Sequence, residues 1–396
     1  MLLEPIDPNE RFRSRRRQAR RRRAIRRTGF LAVVALTAAG LTLGARSLTI
    51  RDSTAPSAQR PTGAATTTPA EPKPEPRPYP AEMRGVHVTM ALASLEGELE
   101  EYLELTRHGL NTLELDVKDE NGAVGFTNPA VPLAKEVGAA KRYYNPRRAA
   151  TAAHARGVYL IGRIVCFEDP VLSEAKPAFA IRTPGGGVWH NSAGLGWTNP
   201  YDQRVWKYNV DLGVAAAEAG FDEIQFDYVR FPTDGDVSAA VYDPRMRQSK
   251  PKVIAAFLEY ASKRLRPLGV RVSADLFGLA ATRNMGIGQR PALLAEHVDA
   301  LYPMVYPSHF GAGEYNLPDP NAQPGRTVAL ALRDFDLAMR GSGARLVPWL
   351  QDFSLGRTYT LEDVRDQIQA ARDAGSEGFM LWNAGGVYTR AALAGS

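Results

Sequence analysis

The chain has 396 residues, 44% of them apolar, with a single cysteine and a formal net charge of +6. That is enough apolar material for one large domain with appendages, and one cysteine excludes an intrachain disulfide. Eleven arginines within residues 11–27, against Glu4, Asp7 and Glu10, give the first 27 residues a net +8 and leave the remainder at −2, which speaks against a nucleic-acid-binding body.

In chain order, the arginines abut residues 29–45, seventeen residues without a charge. Basic residues stay cytoplasmic and an apolar run that follows them crosses the bilayer. Residues 1–28 therefore read as a basic cytoplasmic tail and 29–50 as a single-pass transmembrane signal anchor. A cleaved signal peptide is the competing reading, because the run is at the short end for a span. Residues 51–80, rich in Pro, Thr, Ala and Ser, cannot bury enough surface to offset ordering and read as a flexible linker. Residues 81–396 then form a domain outside the cytoplasm.

In that domain short apolar segments alternate with amphipathic ones, the signature of a parallel sheet wrapped by helices. Strands are expected at 84–90, 111–117, 158–166, 222–228, 270–276, 299–305, 345–351 and 377–382. Helices are expected near 94–108, 145–156, 202–219, 249–266, 289–297, 326–341 and 361–374. Gly109, Gly157, Gly220, Gly269 and Gly375 each follow a helical pattern and precede a strand. Eight such units in about 310 residues predict a (β/α)8 TIM barrel. An open doubly wound sheet is the alternative, but the turn after the first strand lacks glycine. Residues 167–201 and 307–324 break the rhythm and read as walls or lids at the barrel mouth.

Period-two alternation locates the chemistry. In the fourth strand Ile224 and Phe226 oppose Glu223, Gln225 and Asp227; in the fifth Val272, Ala274 and Leu276 oppose Arg271, Ser273 and Asp275; in the second Leu113, Leu115 and Val117 oppose Glu114 and Asp116, with Lys118 beyond. If the apolar sides meet the helices, Asp116, Asp227 and Asp275 gather at the carboxyl mouth. Neighbouring strands lie about 4.8 Å apart, so Asp227 and Asp275 suit the pair of carboxyl groups that cleaves a glycosidic bond. An ion-pair role with Lys118, Arg163 or Arg271 is the alternative for each. Trp189, Trp197, Tyr228, Tyr302, Tyr306, Trp349 and Trp382 offer faces for sugar C–H groups, whereas Trp206 reads as packing. Of six scattered histidines only His87 and His309 reach the mouth, with no metal-ligand spacing; neither a metal nor a cofactor is expected. Cys166 reads as a small buried strand residue.

The segments Arg84-Gly85-Val86-His87-Val88-Thr89, Leu115-Asp116-Val117-Lys118-Asp119, Arg163-Ile164-Val165-Cys166-Phe167-Glu168-Asp169-Pro170 and Glu223-Ile224-Gln225-Phe226-Asp227-Tyr228-Val229-Arg230-Phe231-Pro232 resemble a bacterial family of glycoside-hydrolase-type domains over nearly all of residues 82–392. The family is distantly similar to α-retaining barrels of the α-amylase and α-galactosidase type, in which the nucleophilic aspartate ends the fourth strand. The resemblance thus implies Asp227 as nucleophile. Two departures matter: Gln225 stands where α-amylases carry arginine, and Asp275 where their acid is usually glutamate, so amylase specificity does not follow.

The expectation is a membrane-anchored, extracytoplasmic glycoside hydrolase acting on a polysaccharide or cell-envelope glycan. Asp227 is the expected nucleophile and Asp275 the acid/base, with His87, Asp116, Lys118, Arg163, Glu168, Tyr228, Arg230, Tyr306, Trp349 and Trp382 at the substrate. A non-catalytic carbohydrate-binding protein or an envelope scaffold on the same barrel are the competing classes.

Overall fold

Segments dense in Val, Ile and Leu form the staves of a closed parallel sheet in the computed structural model, which describes residues 74–243 and 247–394. The strands are β1 (Met83–Val88), β2 (Thr112–Lys118), β3 (Tyr159–Val165), β4 (Glu223–Asp227), β5 (Arg271–Phe277), β6 (Ala300–Met304), β7 (Arg345–Leu346), β8 (Trp349–Gln351) and β9 (Gly378–Trp382). Each pairs in parallel with its sequence neighbours from β1 to β6, β6 continues through β7 and β8 to β9, and β9 closes onto β1. The short β7 and β8 are one interrupted stave. Pro348, which has no N–H to give the ladder, lies in the gap. Eight staves therefore close a (β/α)8 barrel, as alternation predicts.

The longer crossover helices are α1 (Pro146–His154), α2 (Gln203–Ala219), α3 (Lys250–Leu265), α4 (Pro324–Met339) and α5 (Leu361–Asp373). Their starts carry the expected chemistry: Asn145 caps α1, Asp202 caps α2, and Thr360 with Asp363 makes a full capping box on α5. At the other ends, Gly220 after α2 and Gly269 before β5 take left-handed φ of 104° and 76°, a conformation that costs an L side chain.

Two apolar clusters divide the molecule. The larger joins the outward strand faces, Leu113, Leu115, Ile164, Ile224, Phe226, Val272 and Leu276 among them, to the helices. The smaller, with Met83, Tyr159, Ile161, Tyr302, Trp349 and Met380, fills the barrel's inside. The inward positions of β2, β4 and β5 are polar instead, with Glu114, Asp116, Glu223, Gln225, Asp227, Ser273 and Asp275 all buried. A barrel interior is ordinarily filled with branched apolar side chains, so this polar sector, which runs from Glu223 at the amino end of β4 to Asp227 and Asp275 at the mouth, is a departure.

Among the described residues no helix is long and apolar enough to cross a membrane. The basic tail, the anchor segment and the linker as far as residue 73 lie outside the described residues.

Candidate active site

β4 and β5 are in register with Phe226 opposite Ala274, so Asp227 and Asp275 stand side by side at the carboxyl ends of adjacent staves. Both line a cavity of about 420 Å³ at the mouth, together with Arg163, Tyr228, Arg230, Tyr306, Trp349 and Trp382.

The two carboxyl groups have opposite surroundings. Arg163 donates to Asp227 Oδ2 from Nη2 at 2.6 Å and from Nε at 3.0 Å, and the Tyr228 backbone N–H donates to Oδ1 at 2.6 Å. Three N–H donors converge on Asp227, the setting of a carboxylate that accepts. Asp275 receives one bond, from Trp349 Nε1 to Oδ1 at 2.7 Å. Burial, followed by the charges of Asp227 and Glu114, pushes the Asp275 carboxyl well above the usual range. Asp227 is thus ringed by N–H donors, whereas Asp275 is buried beside other carboxyl groups with a single donor.

Arg163 is the hub. Its Nη1 also bonds Asp116 Oδ1 at 2.8 Å; burial works against its charge, but Asp227 and Asp116 more than offset this and raise its pKa. His87 Nδ1 contacts Glu114 Oε2, its Nε2 lies 3.6 Å from Asp116 Oδ2, and its ring stacks on Trp382 with centroids 4.6 Å apart. Burial holds this imidazole down to about 4, so it is neutral at pH 7. His87, Asp116 and Glu168, expected at the substrate, do not line the cavity; His87 and Asp116 sit beside Trp382 and Arg163 and hold those two residues in place.

Tyr228 has φ 47°, one of three non-glycine residues with positive φ among the described residues. A bulky residue there costs on the order of 1–3 kcal/mol. The turn aims its N–H at Asp227 and lays its ring beside Arg230, 4.8 Å from the guanidinium. Glu168 follows β3, is held by Asn191 Nδ2 at 2.9 Å, and is pushed up to about 7 by burial, Arg230 opposing.

Other expectations require correction. Lys118 does not face the cavity. The ladder between β2 and β3 shifts register after Asp116, which reverses the parity, and Lys118 turns to Asp169 at 2.8 Å and to Asn209 of α2 at 2.7 Å. Trp189 and Trp197 are buried, Trp189 donating to Asp236 O, so neither offers a face to a sugar. Tyr302 is likewise wholly inside the barrel. The 167–201 connection contributes Asn191 behind Glu168 but no cavity-lining residue, whereas 307–324 supplies His309 and Phe310. Trp206 and Cys166 are core residues, as expected.

Cavity residues not anticipated are Phe277, Gly278, Leu279, Met285, Met304 and Phe310. Phe277 and Met304 were within reach of the pattern, lying two residues beyond Asp275 and Tyr302 on the inward face. The others come from loops whose course has no periodic signal.

Residues 85–388 match the model of a family described as "Putative glycosyl hydrolase domain". No curated protein matches the chain in sequence. Among solved structures, a hypothetical protein from Ruminiclostridium thermocellum is 36% identical over 48% of this chain and 96% of its own, with a TM-score of 0.44. The PgaB (BpsB) glycoside hydrolase domain from Bordetella bronchiseptica is 16% identical, covering 76% of this chain and 94% of that one at a TM-score of 0.56. The catalytic domain of a beta-amylase from Paenibacillus polymyxa is 12% identical, covering 79% and 95% at 0.50. The last two likenesses are likenesses of fold.

Proposed function

The chain belongs to this glycosyl hydrolase domain family, and from that premise we propose that it hydrolyses O-glycosyl bonds of a polysaccharide or cell-envelope glycan with Asp227 and Asp275 as its two working carboxyl groups. The observation that carries the reading is their adjacency in one cavity with opposite environments: three N–H donors on Asp227, burial and a raised pKa on Asp275. In this reading Asp275 protonates the departing glycosidic oxygen while Asp227 attacks the anomeric carbon. Water then releases the glycosyl group from Asp227, with Asp275 taking that water's proton.

The remaining residues have distinct tasks. Arg163 and Asp116 fix the attacking oxygen; Trp349 fixes the acid; His87 and Glu114 set the charge beneath them. Trp382 and Tyr306 give the sugar ring flat walls. We also propose that residues 29–50 hold the enzyme on the membrane with the barrel outside, where such a glycan is met.

The test is a screen of the full chain against polysaccharides, with Asp227→Asn and Asp275→Asn as controls. A substrate whose cleavage falls about 10³-fold or more in each variant is expected. Cleavage unchanged in both variants would falsify the mechanism.

A further inference from the structure

Arg230 is the one lining residue whose charge the protein leaves open. It is 5% exposed, three residues beyond β4, and lies against the rings of Phe277, Tyr228 and Trp197 at 4.6, 4.8 and 5.0 Å. Among the described residues only its Nη1 has protein acceptors, Phe231 O at 3.2 Å and Thr233 Oγ1 at 3.3 Å. Three carboxyl groups reach it through their fields, Asp227, Glu168 and Asp234. None of the three bonds the guanidinium: Asp227 pairs with Arg163, while the hydrogen bonds shown for Glu168 and Asp234 come from the neutral Asn191 amide and the Ser192 N–H.

A buried cation with no anion in hydrogen-bond contact is costly, and aromatic faces and the fields of more distant carboxyl groups offset only part of that cost. Guanidinium stays charged even when burial lowers its pKa, as it does here. The planar fork also matches an oxyanion with two bonds at once. A neutral sugar hydroxyl would leave most of that unmet.

Resting on the glycosidase reading of the cavity, we propose that the substrate is an anionic glycan whose carboxylate or phosphate is received by Arg230. Arg163 does not compete for this anion, because Asp116 and Asp227 already neutralise it. The sugar is thus held with its charged substituent toward the Phe277, Tyr228 and Trp197 side and its reacting carbon toward the Asp227 and Asp275 pair.

The experiment is calorimetric titration of the full chain with glucose, glucuronate and glucose 6-phosphate. At least one anionic sugar is expected to bind about tenfold or more tightly than glucose, and whichever does so tells carboxylate from phosphate. Arg230→Gln should abolish the preference and Arg230→Lys should keep part of it. Equal affinity for all three sugars, binding of neither anion, or a preference undiminished in Arg230→Gln would overturn the proposal. The comparison within the unmutated protein decides even if Arg230→Gln fails to fold. Because no turnover is measured, an inactive protein that still prefers the anion would count against the hydrolase reading alone.

Discussion

Lys118 and Arg230 are both cations withdrawn from water near the carboxyl ends of barrel staves, yet they do different things. Lys118 donates to Asp169, Asn209 and the Cys166 carbonyl at 2.8, 2.7 and 3.2 Å, and lies 5.2 Å from the Tyr208 ring centroid. Its donors are used up, and it ties β2 to the 167–201 connection and to α2. Arg230 is nearly as buried but spends one nitrogen on protein acceptors and lines a cavity. Burial plus charge does not mark a functional residue. Burial plus charge left unmatched, beside a space of ligand size, does.

The comparison implies that changes on the cavity side cost activity, whereas changes around Lys118 cost stability. The largest effect is expected from Asp275→Asn, which removes a proton carrier without emptying its volume. Turnover should drop about 10³-fold or more, while the melting temperature at pH 8 stays level or rises, since a buried carboxyl no longer has to ionise. A calorimetric scan beside the activity assay reads both. A variant that loses stability and activity in proportion would erase the distinction.

Next in size is Lys118→Met. It leaves Asp169 buried without its cation, a loss of about 3–5 kcal/mol in urea unfolding at pH 7. Asp169 also caps the short helix Pro170–Ala175 through the Leu172 N–H, so the damage should centre on the 167–201 connection. Turnover per folded molecule should stay within about twofold. The opposite pattern, full stability with lost turnover, would return Lys118 to the substrate, where its place beyond Asp116 in sequence suggests it belongs.

That reversal shows how far a sequence can be read. Eight staves and the long helices were legible because period two and period 3.6 repeat over many residues and glycines punctuate the joins. Asp227 and Asp275 were legible for the same reason; Tyr306, Trp349 and Trp382 were singled out as aromatic faces, and they line the cavity. Lys118 was not, because the register shift after Asp116 reverses inside and outside without any mark in the residue pattern. Trp189 and Trp197 failed differently: a large aromatic in a long loop looks like a binding face, but this loop folds back through bridges such as Glu168 to Trp197 and Ala180 to Thr198 and uses them as core. The φ of Tyr228, which orders the Asp227 oxygens, has no sequence signal, since tyrosine does not favour that region.

The smallest expected effect joins Glu168 to Arg230. Burial lifts Glu168 from 4.5 to about 7, with Arg230 opposing and Asp234, Glu120 and Asp227 assisting. The folded chain therefore binds more protons than the unfolded chain between those two pH values, and folding stability must fall as pH rises through that window and level off above it. Glu168→Gln removes its share, so the loss between pH 4.5 and 8 should shrink by about 1–2 kcal/mol. Part of the slope should persist, because Asp119, pushed up to about 7, and Asp352, to about 6, act in the same sense. Arg230→Gln should extend the fall to higher pH by removing the cation that restrains Glu168. Urea unfolding at both pH values reads this, and an unchanged slope in both variants would mean that Glu168 is more open to water than its neighbours Asn191 and Arg230 imply.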